Sequence, residues 1–341
     1  MSYEKKPGTK KIPKMSYSKL NTYDQCHWKY YLTYNLGNFF YADNLGSDFG
    51  SLVHFFEQQI FNSLKNKETI DYEKIKIDFQ TINIPKRDKF DTEGGIYGID
   101  ILKQKYKDEF YKTNDLGQSY YTRSLEYMST GMYRLEDYLK ANPNLEPWEA
   151  EKFFSIMFED YNFSGHIDRI FHNKETDEYI IEDIKTKTKP FKATELATPL
   201  QLVIYCMGLH EALDIPYEKM SCKYDLPFLN MKQDAGTKGF IKRGITKLEK
   251  LIEGIKEKDW EPNPEPLCYY CPYCNQNPDQ PEGAENLCPY YSLWKPDDKS
   301  YAKAFEWRGL DCHEVILEQF LKKYGKNIEV KKIVDEFDFE F

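Results

Sequence analysis

Gly165-His166-Ile167-Asp168-Arg169 and, a little further on, Glu182-Asp183-Ile184-Lys185-Thr186 decide how this chain is read. Each lies in a β-like run: Phe163, Ile167 and Phe171 flank the first, and Tyr179-Ile180-Ile181 leads into the second. Side chains alternate along a strand, so Asp183 and Lys185 share a face. An Asp on one strand beside Asp-x-Lys on the next gathers two carboxylates and an ammonium at one point. Phosphodiester hydrolysis needs that combination, a hard cation held by oxygens and a positive group beside the attacking water.

In this reading Asp168 and Asp183 offer oxygens to Mg²⁺ or Mn²⁺, with the carbonyl of Ile184 as a third ligand. Lys185 holds the water and offsets charge as the pentacoordinate phosphorus forms. The plainer alternative is a strand whose charges face solvent. Two other features bear on the choice. Gly50-Ser-Leu-Val-His54 places a His inside an apolar helix, as a packed residue or as a ligand. Gln201 and Tyr205 stand one helical turn apart and share a face, as an active-site pair or a polar helix edge.

Composition permits this chemistry without advertising it. The chain has 341 residues, long enough for one large domain or two modest ones with a buried core. Its net charge of −9 rules out a global basic field and counts against a protein that merely coats DNA. Some of that acidity is segregated, because Asp335, Glu336, Asp338 and Glu340 crowd the C-terminal end. Tyr (28) and Phe (22) are abundant, which suits either core packing or platforms for unpaired bases. No long apolar run suggests a membrane span, and Met1-Ser-Tyr-Glu-Lys-Lys-Pro lacks a signal-peptide core, so a cytoplasmic location is expected.

Periodicity gives the rest of the layout. Residues 1–15 read as loose, and Ser16 to Tyr34 as an aromatic helix capped by Ser16 or Ser18. A helix over about 48–66 presents Phe49, Val53, Phe56 and Ile60. Residues 67–92 show no clear period, and helices follow over about 95–113 and 119–141, the second closed by Asn142-Pro143-Asn144. A three-strand meander is expected over about 151–186, turning at Tyr161-Asn162 and at Asn173–Asp177. Beyond it come a helix over about 193–213, a strand near Ser221–Phe228, a helix over about 239–259 and a last helix near 300–324. The expected fold class is α/β: a small mixed sheet flanked by helices, with a helical insertion over about 67–145.

Cys268, Cys271, Cys274 and Cys288 lie close together among Pro and Tyr. In a reducing compartment such density points to a bound metal rather than disulfides. Four thiolates suit structural Zn²⁺ or a [4Fe–4S] cluster, and spacing does not choose between them. Cys206, Cys222 and Cys312 read as small core residues.

The order Gly50-x-x-x-His54, Gly165-x-Ile167-Asp168-Arg169, Asp183-x-Lys185-Thr186, Gln201-x-x-x-Tyr205 resembles the RecB-type branch of the PD-(D/E)XK nucleases, a restriction-endonuclease-like fold. The opening Ser16-Tyr-Ser18-Lys-Leu20, with Tyr23, Cys26, Tyr30, Tyr31 and Tyr34, is similar to that branch's first helix. The likeness covers roughly 16–66 and 150–290 and implies one nuclease domain over 16–290. It implies His54, Asp168 and Asp183 as metal ligands and Lys185 as the base-like group. Gln201 and Tyr205 would orient the site and contact the DNA backbone. Glu151 falls where relatives carry an acid and is a weaker candidate, and Arg169 is expected to grip phosphate. Where relatives read Asp-Tyr-Lys-Thr-Gly, this chain has Asp-Ile-Lys-Thr-Lys, a departure that touches the turn. A subset of these nucleases, AddB and the iron–sulfur nucleases of CRISPR adaptation among them, holds a cluster with one Cys from the first helix and three from a Cys-x-x-Cys-Pro…Cys-Pro segment. That implies Cys26, Cys268, Cys271 and Cys288 as ligands, with Cys274 spare; a Zn²⁺ set of Cys268, Cys271, Cys274 and Cys288 is the alternative.

The expected function is therefore a Mg²⁺- or Mn²⁺-dependent deoxyribonuclease, an exonuclease acting on DNA ends or single strands in recombination, repair or phage DNA processing, with a helicase or recombination protein as partner. Its rivals are a catalytically weak DNA-end-binding scaffold with a nuclease fold and a zinc-stapled interaction protein. The tail, Ile333-Val-Asp-Glu-Phe-Asp-Phe-Glu-Phe341, reads as an edge strand or as a docking peptide.

Overall fold

The computed structural model describes residues 12–38, 40, 44–85 and 95–263, and beyond them residues 268, 270–274, 277, 280, 281, 284 and 288. The start of the expected loose N-terminus, the helix near 300–324, Cys312 and the acidic–aromatic tail lie outside the described residues. In chain order the elements are β1 (Lys14–Met15), α1 (Tyr17–Gln25), α2 (His27–Tyr30), α3 (Leu45–Lys65), α4 (Tyr72–Thr81), β2 (Asn83–Ile84), β3 (Ile96–Tyr97), α5 (Ile99–Tyr106), α6 (Asp108–Tyr111), α7 (Tyr120–Ser129), α8 (Arg134–Ala141), β4 (Leu145–Phe158), β5 (Tyr161–Asn173), β6 (Glu178–Ile184), α9 (Ala193–Ala197), α10 (Leu200–Leu213), β7 (Met220–Leu226), β8 (Met231–Ala235) and α11 (Phe240–Lys256). The chain divides into two compact units, one of residues 1–15 and 43–248, the other of residues 16–42 and 249–341.

The first unit is built on a mixed sheet in the order β1-β5-β6-β7-β8, with β4 antiparallel to β5 along nearly its whole length. β6 and β7 run parallel, pairing Asp183 with Tyr224 and Ile184 with Asp225, and α10 belongs to the connection between them. The expected mixed α/β architecture is what forms. The meander differs in detail: β4 starts at Leu145, and the first reversal falls at Glu159-Asp160, where Glu159 takes φ +53°. Tyr161 and Asn162, expected in the turn, pair as strand residues with Phe158 and Met157.

α3 explains itself by spacing. Asn44 caps it by accepting the Ser47 N–H at 2.9 Å, and Leu45, Phe49, Leu52, Val53, Phe56 and Ile60 form one buried stripe. That stripe packs with Phe79, Leu102, Phe110, Tyr127 and Leu135 of the inserted helices and with Phe171 and Ile180 of the sheet. The insertion is helical, as the sequence implies, but α4 lies inside the stretch that showed no period. Asp71 caps α4, and Phe79 is its single buried residue, too few to make a pattern.

Against the sheet sits a largely buried ion cluster, its carboxylates and Arg169 closed to water while Arg134 and Lys232 reach an open cavity. Arg169 donates to Glu57 Oε2 at 2.7 Å, contacts Asp225, and lies 3.3 Å from Glu182. Arg134 grips Asp225 with two bonds of 2.6 and 2.9 Å, and Lys232 reaches both oxygens of Glu182 at 2.6 Å. Tyr127 completes Glu57 at 3.0 Å. Three carboxylates thus meet three cations. Pairing is what makes such burial tolerable, since one unpartnered charge there would cost several kcal/mol.

α10 makes two close approaches, one to the sheet and one to α11. A Cβ on Gly208 would stand 2.5 Å from the Phe154 ring of β4, and one on Gly244 of α11 would stand 2.5 Å from Val203. Both contacts need the missing side chain.

In the second unit the expected single helix from Ser16 is broken. Ser16 caps α1, but Cys26 is extended (φ −159°, ψ 113°), ends α1 and begins α2. Tyr23, Trp28, Tyr30 and Tyr31 are buried with Trp260, and Tyr30 and Tyr31 stack on that indole. These aromatics are packing. Tyr23 also donates to the Asp259 carbonyl at 3.0 Å.

Candidate functional site

The C-terminal end of β6 gathers the charged groups of the two opening motifs. Asp168, on β5, is held in place from β6: the Ile184 N–H donates to its Oδ2 at 2.7 Å. His54 of α3 turns its Nδ1 to the same oxygen at 3.6 Å. Glu151 of β4 joins them, and one ligand atom from each of His54, Glu151 and Asp168 lies within 4.8 Å of the others. Glu151 stands on unusual backbone, φ +47° within a strand, between the pairs Ala150–Arg169 and Lys152–Ile167. Non-glycine residues seldom adopt that region, which costs of order 1–3 kcal/mol.

Asp183 is 1% exposed, and its carboxylate oxygens have no hydrogen-bond donor among the described residues. Lys185 Nζ lies 2.6 Å from Oδ2 as an ion pair. Burial, reinforced by Asp168, pushes the Asp183 carboxyl up to about 7 against the opposing pull of Lys185. A buried acid with open lone pairs suits a cation ligand better than a structural role.

Lys185 is also fixed from α10. Its Nζ donates to Gln201 Oε1 at 3.0 Å, and Gln201 Nε2 donates to the Tyr205 hydroxyl at 2.8 Å. Burial, with Asp168 and Asp183 close by, holds the Tyr205 phenol far above its ordinary range, so it stays neutral. Gln201 and Tyr205 are therefore hydrogen-bonded in a chain that ends on Lys185 rather than forming a solvated edge.

Of the residues singled out by sequence, His54 and Asp168 meet Glu151, Asp183 meets Lys185, and Lys185 meets Gln201, which meets Tyr205. Asp183 is not a member of the tight trio of ligand atoms found among the described residues. The Ile184 amide, rather than its carbonyl, makes the contact seen here. Arg169 is corrected: it is 0% exposed inside the ion cluster and has no route to a phosphate. Sequence reading missed Asp225, whose carbonyl accepts the Lys185 N–H at 2.8 Å. It carried no motif to find it by.

In the second unit, Cys26, Cys268, Cys271, Cys274 and Cys288 line one small cavity with Trp28, Lys29, Asn263 and Tyr273. Burial pushes the Cys26 thiol up and the Cys271 thiol up to about 12. A bound metal would reverse that, since it takes thiolates. Asn263 anchors the return segment on the Gln25 carbonyl at 3.0 Å, and Tyr273 shares a 2.7 Å hydrogen bond with Thr33. Cys206 and Cys222 are buried in the first unit, Sγ to Sγ 3.4 Å, as core residues.

The model of the PD-(D/E)XK nuclease superfamily matches residues 14–276. No curated protein matches the chain by sequence. Among solved structures, a "putative exonuclease" from Eubacterium rectale aligns at 9% identity with a TM-score of 0.39, over 74% of this chain and 84% of that one. A protein named SSO0001 aligns at 16% identity with a TM-score of 0.26, over 53% and 80%. At these scores the two likenesses carry no weight of their own, and the match over residues 14–276 is what bears on kinship. No helix among the described residues is long and apolar enough to cross a membrane.

Proposed function

Since this chain belongs to the PD-(D/E)XK nuclease superfamily, we propose that it is a metal-dependent deoxyribonuclease, an exonuclease working on DNA ends or single strands in recombination, repair or phage DNA processing. The observation that carries this reading is the buried Asp183 carboxylate, open to a ligand, beside Asp168 and next to Lys185. His54, Glu151, Asp168 and Asp183, with the Ile184 carbonyl, are the proposed ligands. Mg²⁺ or Mn²⁺ there would supply Lewis acidity toward a phosphoryl oxygen and acidify a water.

The chain's own groups do the positioning. Ile184 N–H fixes the Asp168 carboxylate, so one oxygen keeps its direction. Lys185, held between Asp183 and Gln201, points its ammonium where the attacking water and the growing negative charge need it. Tyr205, locked neutral, keeps the Gln201 amide turned so that its oxygen faces Lys185.

Cys26, Cys268, Cys271 and Cys288 are the proposed ligands of a [4Fe–4S] cluster, supported by their shared cavity and by the helix break that frees Cys26 from α1. Structural Zn²⁺ with Cys274 is the second reading, supported by Cys274 lining the same cavity.

The test is degradation of end-labelled single- and double-stranded DNA with Mg²⁺, Mn²⁺ or EDTA, wild type beside Asp183→Ala. Metal-dependent release of short products by wild type alone supports the reading, and equal, negligible turnover by both proteins removes it. Iron, sulfide and zinc analysis of the purified protein decides the sulfur site.

A further inference from the structure

The net charge of −9 hides a local reversal. Residues 185–192 carry Lys185, Lys187, Lys189 and Lys192 with no acid among them. Residues 236–248 carry Lys238, Lys242, Arg243 and Lys247, again with no acid. The fold joins the two segments. Gln233 of β8 clamps Phe191, accepting its N–H at 2.8 Å and donating to its carbonyl at 3.3 Å. Gly236 N–H donates to the Leu196 carbonyl at 2.7 Å. Arg243 reaches the Ala197 carbonyl at 3.1 Å and the Lys238 carbonyl at 2.7 Å. Arg243 is therefore partly a fastener, while Lys189, Lys192, Lys238, Lys242 and Lys247 are exposed.

Among the described residues, the acids facing this strip include Glu195, Asp115, Asp234 and Glu218, the last two lining one cavity with Lys238. Glu195 lies 3.6 Å from Lys187, and Asp115 lies 3.8 Å from Lys189. Asp234 is engaged by Lys223. The strip begins at Lys185 itself, whose ammonium is in the candidate active site. Next to it, Lys187 sits 3.6 Å over the Phe191 ring, which stacks on Tyr224 at 4.1 Å. A cationic path that starts in the site, in an otherwise acidic chain, fits a polyanion.

We propose that residues 185–192 and 236–248 form the track for the phosphate backbone of the single-stranded nucleic acid that enters or leaves the site. The track rests on the nuclease reading and adds to it the surface that holds substrate beyond the cleaved bond. Lys189, Lys238 and Lys242 contact successive phosphates without regard to base.

The experiment uses the full chain and a fluorescein-labelled single-stranded oligonucleotide in EDTA, with anisotropy followed between about 50 and 200 mM KCl. The triple variant Lys189→Gln/Lys238→Gln/Lys242→Gln is compared with a charge-matched control, Lys74→Gln/Lys112→Gln/Lys140→Gln, whose lysines are exposed elsewhere in the same unit. Each lost phosphate contact on a single strand lowers the slope of log K against log salt by about 0.7. The strip variant should therefore lose about two units of slope and bind about tenfold or more weakly at low salt, while the control follows wild type. Equal behaviour of the two triple variants overturns the track, as does wild type that binds no oligonucleotide. Hydrolysis of bis(4-nitrophenyl) phosphate by wild type with Mn²⁺ reports on the nuclease reading separately: its presence alongside failed binding removes the track alone, and its absence removes both.

Discussion

The Lys185 N–H donates to the Asp225 carbonyl at 2.8 Å, so the lysine of the candidate site hangs from the residue whose carboxylate anchors the ion cluster. Site and cluster share one strand position, β7 opposite β6, and cannot shift independently.

Asp225→Asn should therefore act on both stability and activity. It leaves the buried Arg169 and the largely buried Arg134 short of a charge, a loss of about 3–5 kcal/mol. Urea unfolding measures this. A loss under about 1 kcal/mol would show that the cluster is not holding the sheet.

Acid should undo the same cluster. Lys232, Arg134 and Arg169 overcome the effect of burial and hold the Asp225 carboxyl well below the usual carboxylate range. Its folded pKa is thus lower than its unfolded one, and the unfolded chain takes up more protons between them. Stability from this residue is complete above the unfolded pKa and falls as pH drops from about 5. Thermal unfolding at a series of pH values should show the decline in wild type and a shallower one in Asp225→Asn.

Lys185→Ala should lower kcat by about 10²–10³-fold while Mn²⁺ still binds, because the ammonium is not a ligand. Calorimetric titration with Mn²⁺ beside a cleavage assay separates the two effects. Loss of metal binding in this variant would contradict the assigned role.

Glu151→Gln should weaken Mn²⁺ affinity by about 10–100-fold, an effect on the scale of losing a supporting metal-site residue. Unchanged affinity would return Glu151 to the status of a strand residue. Its backbone, φ +47°, makes Glu151→Gly the useful companion: relief of strain should raise thermal stability even as the carboxylate is lost.

Gly208→Val should push α10 off Phe154 and cost about 1–3 kcal/mol. Because α10 carries Gln201 and Tyr205, cleavage should fall further than the folded fraction does. A proportional fall would mean that the helix position matters only for folding.

Much of the candidate site's geometry was legible because its residues sit on regular elements. Period two put Asp183 and Lys185 together, and one helical turn put Gln201 over Tyr205. The same alternation rules out a phosphate-gripping Arg169, which follows Asp168 directly and so faces the other side of β5. Asp225 and Glu57 were illegible for another reason: their partners lie far along the chain, and a buried ion pair leaves no local pattern. α4 escaped notice because a helix that buries only Phe79 has no stripe, and β8 because Met231–Ala235 is a polar edge strand. The break at Cys26 follows from no propensity in the run from Ser16 to Tyr34.

The second unit has a consequence for how the protein is made. Thr33 meets Tyr273 across 240 positions, and Tyr23 meets Asp259 across 236. During synthesis the Tyr- and Trp-rich opening segment must therefore wait, its rings uncovered, until the segment carrying Asp259 and Tyr273 emerges. Closing so long a span is slow and costs entropy before any contact rewards it. Newborn chains arrested before Trp260 will be sticky, and a cell that makes this protein well must shelter that segment until its mate arrives.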